Sequence, residues 1–268
     1  MRVVSLGDLV LDVVVRLHEN VARGADTPAT VSLSAGGQGA NVAAWVATLG
    51  GTARWLGKRA SDPPGRLASE QLQGYGVELA GPVEGSGNGV IVSLADRHGE
   101  RSMFPDRGVA TDFEPRELRA DWLVCDHLHV SGYALLAEPV ANAAVRATEL
   151  AREKGARISV DLSSWSTIRA FGPDRFRALV GSLEPDVVFA NEDEDAVFGA
   201  SLPGVVWILK RGARGCSFDG DERSPLPVAD VVDTTGAGDA LAAGWILGGP
   251  DLALEAAARC VQRMGSMP

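Results

Sequence analysis

"DTTGAGDALAAG", residues 233–244, decides how this chain is read. Gly236 and Gly238 flank Ala237, and an apolar helical run follows. A glycine-rich turn feeding a helix start favours an anion, because unpaired N–H groups and the positive end of the helix dipole point there. Yet Asp239 occupies that spot, with Asp233 just upstream. Helix capping by Asp239 explains the aspartate, but not two glycines and two threonines packed before it. Gly236 and Gly238 can take left-handed conformations that turn successive N–H groups inward as an anion nest.

Around this turn, short apolar runs alternate with longer helical patterns. "RVVSLG", "ARWLG", "RISVDL", "DVVFAN" and "VVWILKRG" read as strands. "GANVAAWVATLG" (39–50) and "DPPGRLASEQLQGYG" (62–76) read as helices, the second with proline at its start and glycine at its end. Helices are also expected around 138–154 and 174–183, and two more after the turn-rich 211–227. Strands alternating with helices imply βαβ units and a mostly parallel sheet covered on both faces. Two segments break the rhythm. "LDVVVRLHEN" with "ATVSLSAGG" reads as a pair of extended segments, and 88–106 as a hairpin turning at "DRHGE". Neither has a crossover helix, so both are expected to form a small β layer, a lid over the sheet. The expectation is one α/β domain over 1–268, with lid segments at about 10–34 and 88–106.

The totals set limits on function. The 268 residues, 46% of them hydrophobic, suffice for one large core or two modest ones, and no linker rich in Pro, Gly and Ser divides them. A net charge of −10 argues against nucleic acid as a partner, since such binding relies on Lys and Arg meeting phosphates. Cys125, Cys216 and Cys260 are too scattered for a disulfide framework or a CxxC metal site, which fits a reducing cytoplasm. No membrane partner is expected. The apolar N-terminus is interrupted by Asp8, Asp12 and Arg16, well short of the ~18 uncharged residues of a span, and it lacks the layout of a signal peptide.

Three other motifs carry chemistry. "AGGQGAN" (35–41) is a second glycine cluster. A dinucleotide fingerprint would need glycine at 42, where Val42 stands, and "TARWLGKR" fails the P-loop pattern at Thr52 and Arg59. The cluster reads either as a tight loop before a helix, or as paired glycines that let a substrate approach while Asn41 offers a donor and an acceptor. Asp12, within "LVLDVVV", contradicts its apolar surroundings. It either caps a turn or accepts hydrogen bonds from sugar hydroxyls at a strand's carboxyl end. "NEDEDAVFG" (191–199) places four acids in a first helical turn. Simple capping accounts for them; alternatively Asn191 and Glu194, three apart, face the ligand crevice and hold magnesium through water.

"DTTGAGDA" resembles the second signature of the ribokinase-like, phosphofructokinase-B-type carbohydrate kinases, and "GGQGAN" resembles the first. "GKRASDPPG", "NEDE" and "LKRGARG" (209–215) follow in the family's order, so the resemblance covers essentially the whole chain. It implies a three-layer α/β/α fold with a β-sheet lid and phosphoryl transfer from ATP to a sugar hydroxyl. Gly236, Ala237 and Gly238 would stabilise charge on the transferring group, and Asp239 would be the base. Because such transfer is loose and the hydroxyl proton leaves late, a base of low pKa would suffice. By the same resemblance Asp12, Gly36, Gly37 and Asn41 would hold the substrate. Asn191 and Glu194 would organise Mg²⁺ and phosphate, and Lys210, Gly212 and Gly215 would lie along the nucleotide. Asp233 and Thr235 would help form a monovalent-cation (K⁺) site, and the lid would pair two subunits.

Departures from the family pattern narrow the substrate. Val10 stands where ribokinases proper carry Asn, and Gln38 where a lysine is common, which weakens a ribose assignment. Arg101 and Arg107 near the lid suit an acidic sugar such as a 2-keto-3-deoxy sugar acid. The end at Pro268 is expected to reduce the adenine and cation pocket. A nucleoside kinase is the alternative enzyme, with only Phe104 in the lid to clamp a base. A catalytically silent sugar-binding protein is the alternative outside the enzymes, opposed by Asp239 and the complete nest.

Overall fold

A computed structural model describes residues 1–96 and 101–268; the side chain of Arg101 and the 97–100 turn of the expected hairpin lie outside the described residues. The chain opens with β1 (Arg2–Leu6), β2 (Val10–Leu17), β3 (Ala29–Gly36), α1 (Gln38–Thr48) and β4 (Thr52–Leu56). Next come β5 (Arg59–Ala60), α2 (Pro63–Gly74), β6 (Glu78–Ala80), β7 (Val83–Glu84), β8 (Asn88–Ala95) and β9 (Arg101–Gly108). The second half holds β10 (His127–Ser131), α3 (Val140–Arg152), β11 (Arg157–Asp161), α4 (Trp165–Phe171) and α5 (Pro173–Ser182). It ends with β12 (Val187–Asn191), α6 (Glu192–Phe198), β13 (Val206–Lys210), β14 (Cys216–Phe218), β15 (Asp221–Arg223) and α7 (Ala237–Cys260).

Among the described residues the main sheet runs β15-β14-β13-β12-β11-β10-β1-β4-β6. It is parallel from β6 to β13, and β14 and β15 close one edge antiparallel. Period-two alternation sends neighbouring side chains of each strand to opposite faces. Val187 and Phe189 of β12 enter the core under α1, α2 and α7, whereas Val188 and Ala190 enter the core under α3 to α6. Both faces are thus covered, which is why the strands read as continuous apolar runs.

Local chemistry sets the helix ends. Asp62 caps α2 by accepting from Gly65 N–H, with prolines in the first turn, as the 62–76 pattern predicts. Helix α7 breaks at Gly248 and Gly249, which accounts for the two helices expected there. Helix α4 and the short β14–β15 hairpin inside 211–227 are additions that the periodicity did not signal.

A second, four-stranded sheet runs β3-β2-β8-β9. Its strands are the two segments that lacked crossover helices. Register places Leu33, Val13, Val92 and Phe104 in one row across all four strands. Asp12 lies on the opposite face, in a row with Ser34, Ile91 and Pro105.

Candidate active site

Strand order reverses at β1: β4 and β6 lie to one side, β10 to β13 to the other. A reversal of this kind opens a crevice outside the carboxyl ends of the strands. Asp8 follows β1 there, and Ser131, Asp161, Asn191 and Lys210 end β10 to β13. The first turns of α1 and α7 complete the rim.

Gly236 precedes α7 in the left-handed region, with φ 79° and no side-chain cap. A Cβ at this position would lie 2.5 Å from Cα of Ser266, so conformation and space both require glycine. Ala237 N–H reaches Thr234 O at 3.3 Å, but the N–H groups of Gly238 and Asp239 have no backbone acceptor among the described residues. These are the open donors of a helix start, able to take an anion.

Asp239 does not cap this helix. Its Oδ2 accepts from Asn41 Nδ2 at 2.7 Å, and the Gln38 side chain also favours its charged form. Burial pushes its carboxyl up to about 7, and Asp161 adds to the rise; Asn41, Lys210 and Gln38 oppose it. The expectation of a low-pKa base is therefore corrected. Desolvation near the sheet end brings the group to neutrality, the range in which a general base is best matched to its task.

Lys210 and Asp161 form a buried pair, Nζ to Oδ2 at 2.7 Å. Burial opposes the lysine charge, but Asp161 and Glu194 outweigh it and hold the ammonium above the ordinary lysine range. The ammonium stands 3.3 Å from where a Cβ on Gly238 would sit, beside the open N–H groups. Asp161 was missed in the sequence, although an acid ending an apolar strand is the same signal that marked Asp12.

Asp12, Gly36, Gly37 and Asn41 are brought together. A Cβ on Gly36 would lie 2.1 Å from Asp12 Oδ2, and one on Gly37, at φ 97°, 2.4 Å from Asp8 O. Asp12 lies in the middle of β2, so it caps no turn, and burial pushes its carboxyl up to about 6. Asn41 spends its amide inside the protein: Nδ2 on Asp239, and Oδ1 on Ser266 Oγ at 3.0 Å.

Asn191 and Glu194 form a reciprocal capping box at the start of α6. Asn191 Oδ1 accepts from Glu194 N–H, while Glu194 Oε2 and Oε1 accept from Asn191 N–H and Nδ2. Burial raises the Glu194 carboxyl, and Lys210 pulls it the other way. Asp233 accepts from Thr235 N–H at 2.8 Å and Gly265 N–H at 3.1 Å, tying the turn before α7 to the chain's last residues. Among the described residues no three His, Cys, Asp or Glu side chains group as metal ligands.

Behind the open N–H groups lies a cavity of about 500 Å³. Gly212, Gly215, Leu241, Leu254 and Ala257 line it, together with Lys210 and Gly238. Such a space takes a flat apolar body, with an attached anion directed at the start of α7. On the lid side, Arg107 of β9 donates Nε and Nη2 to the two oxygens of Asp8 at 2.6 and 2.9 Å.

Comparison with known proteins agrees with this layout. Residues 1–267 match the model of the family described as pfkB family carbohydrate kinase. A protein of Halopiger xanaduensis named ATP-dependent ribose-1-phosphate kinase is 32% identical over 280 residues, covering 97% of this chain and 90% of the relative. Fructokinase-1 of Oryza sativa subsp. japonica is 32% identical over 263 residues, covering 89% and 80%. A ribokinase II candidate of E. coli, solved with ATP and Mg²⁺, superposes with a TM-score of 0.84 at 21% identity, covering 99% and 94% of the chains.

Proposed function

We propose a chemistry and a substrate class from one premise: the chain belongs to the pfkB family of carbohydrate kinases and is an ATP-dependent sugar kinase. The observation that carries the reading is the meeting of three features at the first turn of α7. These are the Asp239 carboxylate, the open N–H groups of Gly238 and Asp239, and the apolar cavity behind them.

In this reading the adenine enters the cavity along Gly212 and Gly215, and the phosphates run past Lys210 toward Gly236, Ala237 and Gly238. The sugar lies on Asp12, Gly36 and Gly37. Its hydroxyl oxygen attacks the γ-phosphorus, the bond to the bridging oxygen breaks, ADP leaves, and the hydroxyl proton passes to Asp239. The N–H groups and the Lys210 ammonium meet the charge that spreads over the transferring group. Mg²⁺ would be held through water by Glu194, beside Asn191, and would neutralise charge between the phosphates; the hard, buried carboxylate fits its preference for oxygen and retained water. Asp233 and Thr235 are the residues proposed toward K⁺, in the turn that also engages the backbone at 265.

The acceptor proposed is a small sugar carrying an anionic group, a sugar phosphate or sugar acid. Arg107 beside Asp8 supports this, as does the relative named for ribose 1-phosphate. The four-stranded sheet is proposed as a lid on a single domain, closing over the sugar to exclude water. Its exposed apolar face, with Leu33 and Phe104 about half exposed, supports pairing with a second copy. Free thiols at Cys125, Cys216 and Cys260 support a reducing cytoplasm.

ATP consumption measured with D-ribose, D-fructose, D-ribose 1-phosphate and a 2-keto-3-deoxy sugar acid tests the reading. Highest kcat/KM for an anionic acceptor is expected, and preference for a neutral sugar overturns the substrate class.

A further inference from the structure

We propose that Ser266 is a positioning residue for Asp239, acting through the side chain of Asn41. The inference rests on reading Asp239 as the base and extends it to the chain's last residues.

Three side chains form an unbroken line. Ser266 Oγ donates to Asn41 Oδ1 at 3.0 Å, and Asn41 Nδ2 donates to Asp239 Oδ2 at 2.7 Å. Ser266 and Asn41 are both buried. A carboxylate only accepts, so it needs the amide's N–H end. That leaves Oδ1 pointing the other way into the protein, where it requires a donor of its own. Ser266 supplies it. Without the hydroxyl, Oδ1 is buried and unsatisfied, and the amide must turn to find another partner, releasing the Asp239 oxygen.

The serine is itself firmly held, by contacts that do not involve its hydroxyl. Its carbonyl accepts from Trp45 Nε1 at 2.9 Å, and its Cα fills the space that glycine leaves open at 236. Gly265 N–H is bonded to Asp233. The residue that steadies the amide is thus fixed against the same turn that presents the open N–H groups, so base and anion site share one reference frame. Gln38 supplies a second arm: its Oε1 accepts from Ser131 and Ser163 while its side chain favours the charged form of Asp239. Because this arm remains, losing Ser266 should weaken catalysis without abolishing it.

The test measures kcat and the KM for ATP of Ser266→Ala, Asn41→Ala, their double variant and Asp239→Asn, with D-fructose and D-ribose 1-phosphate as acceptors. Ser266→Ala is expected to lower kcat about 3- to 10-fold, the range of one hydrogen bond, with the KM for ATP and the melting temperature unchanged. Adding Ser266→Ala to Asn41→Ala is expected to change kcat no further, because the serine acts through the amide. Wild-type kcat in Ser266→Ala, or losses that multiply in the double variant, would overturn the proposal. If Ser266→Ala does not fold, Ser266→Cys keeps the volume while weakening the donor, and the same outcomes apply. Full kcat in Asp239→Asn removes the base reading itself. An inactive Asp239→Asn beside a fully active Ser266→Ala removes only the role of Ser266.

Discussion

Asn41 and Asp239 stand 198 residues apart in the chain, yet Nδ2 of one donates to Oδ2 of the other across 2.7 Å. The bond joins the first turn of α1, which carries the first glycine cluster, to the first turn of α7, which carries the second. Packing of α1 on α7 under the sheet brings the two turns to one point. The proposed base is therefore placed by both signatures.

Replacing Asp239 by Asn keeps its shape and removes the proton acceptor. The expected result is a fall in kcat of at least ~10²-fold, the lower end of general-base contributions, with little change in the KM for ATP. The wild-type profile carries a sign. The base works unprotonated, so kcat/KM should drop as pH falls through about 7, the value to which burial lifts Asp239. A limb near 4 would show that burial does not hold the group near 7 in the free enzyme.

Asp161 acts on the same group from the end of β11. Its charge helps raise the Asp239 carboxyl, so Asp161→Asn should move the acid limb of kcat/KM to lower pH. The substitution also weakens the buried pair with Lys210. A stability loss of about 3 kcal/mol is expected, the lower end for a broken buried pair, since Asn still offers an oxygen. A pH–rate profile and a denaturant melt check the two effects separately.

Much of this was legible because it is written in local patterns. Apolar runs gave away the strands, Asp62 and its prolines the start of α2, and Gly236 the turn before α7. Asp12 stood out as a charge among valines. Relations between distant residues were not legible. Nothing near Ser266 marks it as a partner of Asn41, and the glutamine at 38 read only as a departure from lysine until its contacts with Ser131, Ser163 and Asp239 were seen. The acidic first turn of α6 is ambiguous in another way. Asn191 and Glu194 form a capping box whose hydrogen bonds any ordinary helix start would use, so sequence alone does not separate a cap from a ligand set.

Gly236→Ala tests the turn without touching a charged group. Alanine at φ 79° carries a strain of about 1–2 kcal/mol, and its Cβ meets Ser266 Cα at 2.5 Å, so the chain's last turn must shift. A lower melting temperature and a loss of kcat larger than the stability change explains are expected. Unaltered kcat at a temperature where the variant is folded would separate the turn from catalysis.

Arg107 is the residue on which the substrate class turns. It lies on β9 of the small sheet, while Asp8, which accepts two of its hydrogen bonds, follows β1 of the main sheet. The pair therefore does two things at once: it fastens the small sheet to the main one, and it holds a guanidinium on Asp8, whose backbone lies against Gly37 of the proposed sugar site. A guanidinium carries five donors, and Asp8 takes two. An anionic group on the sugar would engage the same cation through charge-assisted hydrogen bonds, which contribute about 1.5–3 kcal/mol each. Arg107→Ala should therefore lower kcat/KM for D-ribose 1-phosphate at least ~10-fold more than for D-fructose, the equivalent of one such bond. Asp8→Ala provides the contrast, because it opens the fastening yet keeps the cation, and it should affect both acceptors alike. Equal losses in Arg107→Ala would leave Arg107 as a clasp between the two sheets and remove the argument for an anionic acceptor.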